Sequence, residues 1–280
     1  MTTPRPADDL QALQQQLQAS EAARQALQLT LTERDAEVAT LRREAEEFLR
    51  MVSHDLRAPL RHVMAYGTLV REMLAEGEDA SAALATLDKS AKQMGQMVDA
   101  LVELGRLSRA PLVQCTLPAG TIVREALREV QASHTQGRQI EWRVADDWPE
   151  LNGDPTLLRL LWRELLANAV KFTRPCSDAV IGVGWLVPAA DAGADAVAQG
   201  PQFFVRDKGV GFNPAQAGQL FAPFHKLHSV NEFEGLGTGL AQVRQVVQRH
   251  GGSVRAEGVQ GQGCTVWFTL PACTMAARSS

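Results

Sequence analysis

Apolar residues recur at alternating intervals of three and four over the first fifty residues of the chain. With Leu10 as heptad position a, ten of the 13 a and d positions up to residue 52 are apolar, and the stretch has neither Gly nor Pro after Pro6. A sustained repeat of this kind predicts a coiled coil. Because Ser20, Arg24 and Arg34 interrupt the apolar seam, a single amphipathic helix packed on a globular core is the alternative.

The helical pattern continues past residue 52 in a shifted frame and stops at a polar turn, Glu76-Gly77-Glu78-Asp79. A second helical pattern follows from Leu84 to Leu104. Two long helices joined by a short turn form an antiparallel hairpin. One hairpin offers too little surface to bury both apolar stripes. Two copies are therefore expected to form a four-helix bundle, which predicts a homodimer.

The pattern changes after a segment between two prolines, residues 111–118, which we interpret as a linker. Helical and alternating patterns then follow each other, which predicts an α+β domain. Asp154 is the expected N-cap of the middle helix, and Gly251 the residue that ends the last one. The predicted helices are residues 122–130, 155–172 and 240–250, the predicted strands 138–144, 179–186, 202–206, 253–257 and 264–270, and a mobile loop is expected at 191–200.

Composition and charge argue against several classes of protein. The chain has 28 Lys and Arg against 32 Asp and Glu, a net charge of −4, which argues against non-specific nucleic-acid binding. Its four scattered cysteines favour neither a disulfide framework nor a zinc site, and indicate a reducing compartment. No membrane span is expected, because the longest weakly polar run, residues 179–190, is interrupted by Pro188 and is shorter than the ~20 residues needed. No signal peptide is visible at the N-terminus, so we expect a cytoplasmic protein.

One candidate catalytic residue lies on the first long helix. His54 takes an outward position in both heptad frames, so its imidazole is expected to face water. An exposed imidazole is a nucleophile near neutral pH, and Asp55 beside it could hold one ring nitrogen protonated. Pro59, one turn later, removes a helical hydrogen bond and is expected to bend the helix. An ordinary solvated His–Asp pair is the alternative.

The predicted helix at residues 155–172 carries candidate ligands for a nucleotide and its metal ion. Glu164, Asn168 and Lys171 share one face because they are spaced by four and three residues. An amide oxygen can bind Mg²⁺, and a lysine can neutralise phosphate. A helix whose polar side merely faces solvent is the alternative.

Two glycine-containing segments of the same domain also suit a nucleotide. Asp207 ends a predicted strand and could accept a hydrogen bond from an exocyclic amine such as that of adenine. Glycines just after it let the backbone approach a flat ring. The segment GLGTGL, residues 235–240, leads into a helix whose free N–H groups suit a polyphosphate.

Residues 45–271 resemble the transmitter core of the bacterial two-component sensor histidine kinases, closest to the bacteriophytochrome-like type. The segment SHDLRAPL is similar to the phospho-acceptor H box, and ELLANAVKFT to the N box. The segments DKGVGF and GLGTGL are similar to the two glycine boxes, and FAPFHK to the F box of the ATP lid. These five motifs occur in the order that the family has.

The resemblance implies an all-α coiled coil and helical hairpin followed by a two-layer α+β sandwich of the Bergerat ATP-binding type. Its implied domains are a coiled coil at 1–44, a dimerisation and phosphotransfer hairpin at 45–110, a linker at 111–118, a catalytic domain at 119–271 and a tail at 272–280. The implied metal ligands are Asn168 and Glu164, and the implied ATP-binding residues are Asn168, Lys171, Asp207, Gly209, Gly211, Lys226, Gly235, Gly237, Thr238 and Gly239.

The resemblance also implies the reaction and the partners. The γ-phosphoryl group of MgATP would pass to Nε2 of His54, while Asp55 orients or deprotonates the ring. It would then pass to an aspartate of a response regulator receiver domain. Input is expected from a separate sensor or an upstream coiled-coil partner.

Three residues depart from the family pattern. Glu164 stands where many relatives have Asn, and a Glu there activates water in related ATPases. Lys208 replaces a frequent Asn. Ala58, four residues after His54, stands where phosphatase-competent relatives have Thr, Asn or Ser, which predicts weak phosphatase activity. A Bergerat-fold ATPase of the chaperone or mismatch-repair kind and a non-catalytic dimeric scaffold are the alternative functions.

Overall fold

The computed structural model of the chain describes residues 6–135, 137–187, 200–228 and 232–270. The chain divides into two compact units, residues 1–58 and residues 59–280. Apart from Gly200, the loop expected at residues 191–200 lies outside the described residues. Within the described ranges, no helix combines the length and the apolar character needed to cross a bilayer.

Two long helices make up the first part of the chain, as the hydrophobic pattern predicts. Helix α1 (Pro6–Glu76) runs without interruption through Pro59, and helix α2 (Ser81–Arg109) follows a turn with Gly77 at a φ of 74°. The backbone N–H of Ser81 donates to the carboxylate of Asp79 at 2.9 Å. Hydrogen bonds from Ser81 also lower the pKa of that carboxyl. The start of α2 is therefore fixed by the polar turn itself.

The two helices bury few apolar side chains in a single copy of the chain. Near the turn, Val70, Ala80 and Ala83 form a small cluster with Tyr66 and Met73. Many other apolar side chains of the two helices remain exposed, among them Leu60, Met64, Leu69, Leu74, Leu84, Val98 and Val102.

The remaining residues form an α/β domain with two sheets. Strand β1 (Cys115–Pro118) pairs antiparallel with β3 (Glu150–Gly153). The larger sheet has the order β2-β4-β5-β7-β6, with β2 parallel to β4 and every other pair antiparallel. Its strands are β2 (Glu141–Val144), β4 (Val180–Leu186), β5 (Gln202–Asp207), β6 (Val254–Val259) and β7 (Gly263–Thr269).

Three helices pack on the large sheet and close one core. They are α3 (Ala119–His134), α4 (Pro155–Phe172) and α5 (Gly239–Arg249), and a 3₁₀ helix (Pro214–Gln219) precedes α5. Trp162 of α4 is fully buried, with its ring centroid 5.1 Å from that of Phe268 and 6.1 Å from that of Phe203. This packing confirms the predicted order, a helical region followed by an α+β sandwich.

The domain differs from the sequence prediction at its first strands. The expected linker at 111–118 contains β1, and its partner β3 was not predicted. Each strand has only four residues and one large buried apolar side chain, Leu117 or Leu151, which is too little for a periodic pattern to indicate a strand. Strand β2 begins at Glu141 rather than at 138, because the backbone N–H of Arg138 donates to the carbonyl oxygen of Thr135 at 2.9 Å in a turn.

A polar junction, formed by the buried residues Asp154 and His250 and the half-buried Arg249, joins the end of α2 to the helices of the α/β domain. Asp154 caps α4 as predicted, because its Oδ1 accepts the N–H groups of Thr156 and Leu157 at 2.9 and 3.2 Å. Its Oδ2 accepts the N–H of Val113 at 3.1 Å.

The other two side chains of the junction come from the end of α5. The backbone N–H of Asp154 donates to Nε2 of His250 at 3.0 Å, and Nδ1 of that ring lies 2.8 Å from the carbonyl oxygen of Val246. Arg249 donates to the carbonyl oxygens of Leu107, at 2.6 Å, and of Ala110. The chain leaving α2 is therefore bonded to both α4 and α5.

We predict that Asp154→Ala lowers the free energy of unfolding by about 2–4 kcal/mol, because three N–H groups lose their shared acceptor in a buried place. Asp154→Asn keeps the capping oxygen and should lose less than half of that. Urea unfolding of both variants measures the difference. Equal losses in the two variants would show that the cap does not carry the effect.

Candidate functional site

A cavity of about 280 Å³ opens between α4, the end of β5 and the segment before α5. Most of the residues predicted to bind a nucleotide line it. Those lining residues are Glu164, Asn168, Lys171, Asp207, Gly211, Lys226, Gly235, Gly237, Thr238 and Gly239.

Helix α4 supplies three of the polar groups in the wall of the cavity. Its apolar face is buried against the sheet, so the opposite side presents Glu164, Asn168 and Lys171 together. Arg163 donates to Oε1 of Glu164 at 3.1 Å and leaves Oε2 toward the start of α5. The predicted shared face of these three residues is thus present in the structure.

Asp207 ends β5 and lies nearly buried in the floor of the cavity. The N–H of Gly209 donates to its Oδ1 at 2.9 Å, and a second backbone hydrogen bond comes from Cys264. Burial nevertheless raises the pKa of Asp207 to about 6, because desolvation outweighs both hydrogen bonds. Burial and the charge of Asp207 together raise the pKa of the Cys264 thiol far above its usual range. The Asp207 carboxylate can therefore accept a further hydrogen bond, which suits a ligand that carries an N–H donor.

Two lysines bring positive charge to the opposite side of the cavity. Burial lowers the pKa of Lys171, the nearby charge of Lys226 lowers it further, and Glu164 partly opposes the shift. Burial also lowers the pKa of Lys226. Two partly desolvated ammonium groups that repel each other favour an anionic ligand between them.

Glycines let the segment before α5 pass close to α4 and to the F-box segment (residues 221–226). At Gly237, with a φ of 79°, a Cβ would lie 2.8 Å from the carbonyl oxygen of His225. At Gly239 a Cβ would lie 2.6 Å from Oε2 of Glu164 and 3.5 Å from Nδ2 of Asn168. Gly237 therefore requires glycine, because its φ is positive and the obstructing atom is backbone, whereas a Cβ at Gly239 would have to displace the flexible carboxylate of Glu164.

Three predicted site residues are not among those that line the cavity. Gly209 supports Asp207 through its N–H rather than lining the cavity, and a Cβ there would lie 2.6 Å from the carbonyl oxygen of Phe172. His54 and Asp55 belong to the other unit of the chain. There the His54 side chain is 83% exposed, as predicted, and its Nδ1 lies 3.1 Å from Oδ1 of Asp55.

Aromatic residues of the cavity were not predicted from the sequence. Phe172, His228 and Phe233 form a cluster with ring centroids 5.0 to 5.5 Å apart. The Lys171 ammonium lies 4.5 Å from the ring centroid of Phe172. Another missed residue is His225, which lines the cavity between Phe224 and Lys226. Phe172 and His225 lie within the N-box and F-box segments, and His228 and Phe233 follow the F box, but the motifs gave these side chains no role.

The polar residues fit a magnesium ion that arrives with a nucleotide. Among the residues that the structure describes, no group of three or more His, Cys, Asp or Glu side chains could hold a metal ion. Mg²⁺ is usually held by one or two protein oxygens and by substrate phosphates. Glu164 and Asn168 supply such oxygens beside the glycine segment, which matches that donor set.

Two family models match the chain and cover its two functional regions. The His Kinase A (phospho-acceptor) domain matches residues 44–110, which include His54. The histidine kinase-, DNA gyrase B- and HSP90-like ATPase matches residues 153–274, which include the cavity. Together they confirm the resemblance drawn from the five motifs.

Two curated relatives are similar to most of the chain. The chain is 32% identical over 243 residues to the methanogenesis regulatory histidine kinase FilI of Methanothrix harundinacea, covering 86% of this chain and 26% of that protein. It is 28% identical over 243 residues to cyanobacterial phytochrome B of Nostoc sp., covering 86% of this chain and 31% of that protein. The chain thus spans about a quarter to a third of these curated relatives.

Among solved structures, full-length ShkA in complex with AMPPNP is similar, with a TM-score of 0.51 and 25% identity. The match covers 83% of this chain and 47% of that one. It therefore extends across both the helical region and the ATPase domain.

We predict that Asp207→Asn weakens the binding of adenine nucleotides and removes the part of its pH dependence that comes from the Asp207 carboxylate. In the unchanged protein, affinity should fall as the pH drops through about 6, because protonation removes the acceptor at Asp207. The terminal phosphate also titrates near pH 6 and is present in both proteins, so the variant isolates the carboxylate. Calorimetric titration between pH 5 and about 8 measures this, and identical pH profiles would contradict the assignment.

The same variant should be more stable without nucleotide. The folded state holds the Asp207 proton up to about pH 6, whereas the unfolded chain loses it near 3.8. Stability therefore falls as the pH rises between these values, by at most ~3 kcal/mol. We expect Asp207→Asn to raise the melting temperature at pH 7.5 and to change it little at pH 4. A lower melting temperature at pH 7.5 would contradict this.

Proposed function

We propose that this chain, which belongs to the sensor histidine kinases of two-component systems, transfers the γ-phosphoryl group of MgATP to His54 and then to a response regulator. The observation that carries the proposal is that one chain joins a water-exposed His54–Asp55 pair in a phospho-acceptor domain to an ATPase domain with a polar cavity. Because the chain spans only part of its relatives, the reaction and partners of the whole protein are part of this proposal.

The polar groups of the cavity match both the adenine and the triphosphate of ATP. Asp207 would accept a hydrogen bond from the adenine amine, and its shortage of donors supports that role. Lys171 and Lys226 would neutralise the phosphates, while the backbone N–H groups at the start of α5 add positive potential. Mg²⁺, held by Asn168 and Glu164 together with phosphate oxygens, would neutralise the remaining charge when bound.

The exposed histidine has the geometry of a prepared nucleophile. A hydrogen bond from Nδ1–H of His54 to Asp55 leaves the lone pair on Nε2. Nε2 would attack the γ-phosphorus, forming an N–P bond while the bond to the β–γ bridging oxygen breaks and ADP leaves. Asp55 stabilises the positive ring and can take its Nδ1 proton. An aspartate of the response regulator would then take the phosphoryl group.

The helical hairpin supports the homodimer that the phospho-acceptor family implies. Apolar side chains such as Met64 and Leu74 are 66% and 62% exposed in the single chain, and a second hairpin would cover them in a four-helix bundle. Input would reach α1 from a separate sensor or an upstream coiled-coil partner. The free state of Cys115, Cys176 and Cys264 fits the cytoplasmic location that we propose.

A slow ATPase activity is the second candidate function, and Glu164 is the observation that favours it. Its carboxylate lines the cavity and reaches toward Gly239, so it could orient a water for attack on the γ-phosphorus. The products separate the two functions, because a kinase forms phosphohistidine and an ATPase releases free phosphate.

We predict that His54→Gln abolishes acid-labile labelling by γ-labelled MgATP and leaves the ATP dissociation constant unchanged. Gln has no nucleophilic nitrogen, whereas the ATP cavity is untouched. His62→Gln is the matched control, because His62 is also exposed on α1. Label retained on His54→Gln would refute the assignment. Free phosphate without any label on the unchanged protein would favour the ATPase.

We also predict that dephosphorylation of the partner regulator is weak and that Ala58→Thr increases it several-fold. The methyl group of Ala58 cannot position a water, whereas a hydroxyl four residues after His54 can. The measurement is the ATP-free loss of label from a purified phosphorylated regulator, with Ala58→Val as the control of similar shape. Rapid loss with the unchanged protein would contradict the prediction.

A further inference from the structure

His225 combines three features that the proposed roles of the other residues leave unexplained. It lines the nucleotide cavity, it lies next to Lys226 in the F-box segment, and its Nε2 is buried without a hydrogen-bond partner among the described residues. A desolvated polar nitrogen that lacks a partner destabilises the protein, and such atoms are rare in folded structures. A hydrogen-bond partner from outside the chain would therefore remove an energetic cost at Nε2.

The backbone around His225 is held in a defined place. Phe224 has a φ of 61°, a conformation that non-glycine residues rarely adopt, and its N–H donates to the carbonyl oxygen of Gly237 at 3.0 Å. The carbonyl oxygen of His225 packs directly on Gly237, where no Cβ fits. The backbone of the F-box segment is therefore fixed against the glycine segment that lines the cavity.

We propose that Nε2 of His225 donates a hydrogen bond to a phosphate oxygen of the bound nucleotide. This inference rests on the proposed function, because it takes the cavity to be an ATP site. Lys226 and Lys171 already concentrate positive charge there, so a phosphate oxygen is the acceptor that the surroundings favour. The missing partner of Nε2 would then be the ligand, and His225 would help to distinguish phosphorylated nucleotides from adenosine.

The test compares His225→Phe with the unchanged protein for AMPPNP and for adenosine. Phe keeps an aromatic ring but cannot donate, so the AMPPNP dissociation constant should rise about ten- to hundred-fold while adenosine binding stays the same. His225→Gln, which retains a donor, should recover part of the affinity. His134→Phe, on a histidine of the same domain outside the cavity, is the control.

The melting temperature without nucleotide gives a second, independent measurement. Replacing an unpartnered buried nitrogen by an apolar group should leave stability unchanged or raise it. Unchanged AMPPNP affinity in His225→Phe, or an equal loss for adenosine, would overturn the inference. A lower melting temperature with unchanged affinity would also overturn it, because Nε2 would then have its partner within the protein.

The failure of the two proposals can be told apart. If the unchanged protein binds neither AMPPNP nor ATP, the proposed function fails, and the role of His225 fails with it. If the unchanged protein binds both and His225→Phe binds them equally well, only the role of His225 fails.

Discussion

The α/β domain depends on Asp154, whose carboxylate and backbone N–H together connect three parts of the chain. One oxygen starts α4, the other holds the connection from α2, and the backbone N–H of the same residue bonds His250 at the end of α5. Helix α4 then carries Glu164, Asn168 and Lys171 to the cavity, and α5 begins at its opposite edge. Because a helix is stiff along its length, fixing these ends also fixes the polar groups several turns away.

The cavity itself is kept in an unfavourable electrostatic state. Asp207 is buried with too few hydrogen-bond donors, so its pKa is raised. Lys171 and Lys226 are partly desolvated beside each other, so their pKa values are lowered. Each shift favours the neutral form of the side chain. These costs lower the stability of the free protein, and a ligand that supplies an amine at one end and anionic oxygens at the other removes them. Groups that destabilise a fold but complement one ligand are typical of binding sites.

The sequence predicted most of the helices and the long strands because their signals are local. Asp154-Pro155 marks the start of α4, and the turn after Glu76 separates the two long helices. Strands β1 and β3 were missed because each offers a single large apolar residue, Leu117 or Leu151, so that their pairing rather than a pattern specifies them. The order of the family motifs predicted the motif residues around the cavity. It did not predict a role for the imidazole of His225, because the missing hydrogen-bond partner is visible only in three dimensions. Gly209 was predicted to bind the ligand, but it supports Asp207 instead.

The bonds from Arg249 to the carbonyl groups of Leu107 and Ala110 have a mechanical consequence. They attach the last residue of α5 to the last turn of α2, while the first residue of α5 borders the cavity. Eleven residues of helix span about 16 Å and resist compression. A rotation of α2 that preserves these bonds would therefore also rotate α5. It would displace the first residue of α5, at the edge of the cavity where the phosphates would bind.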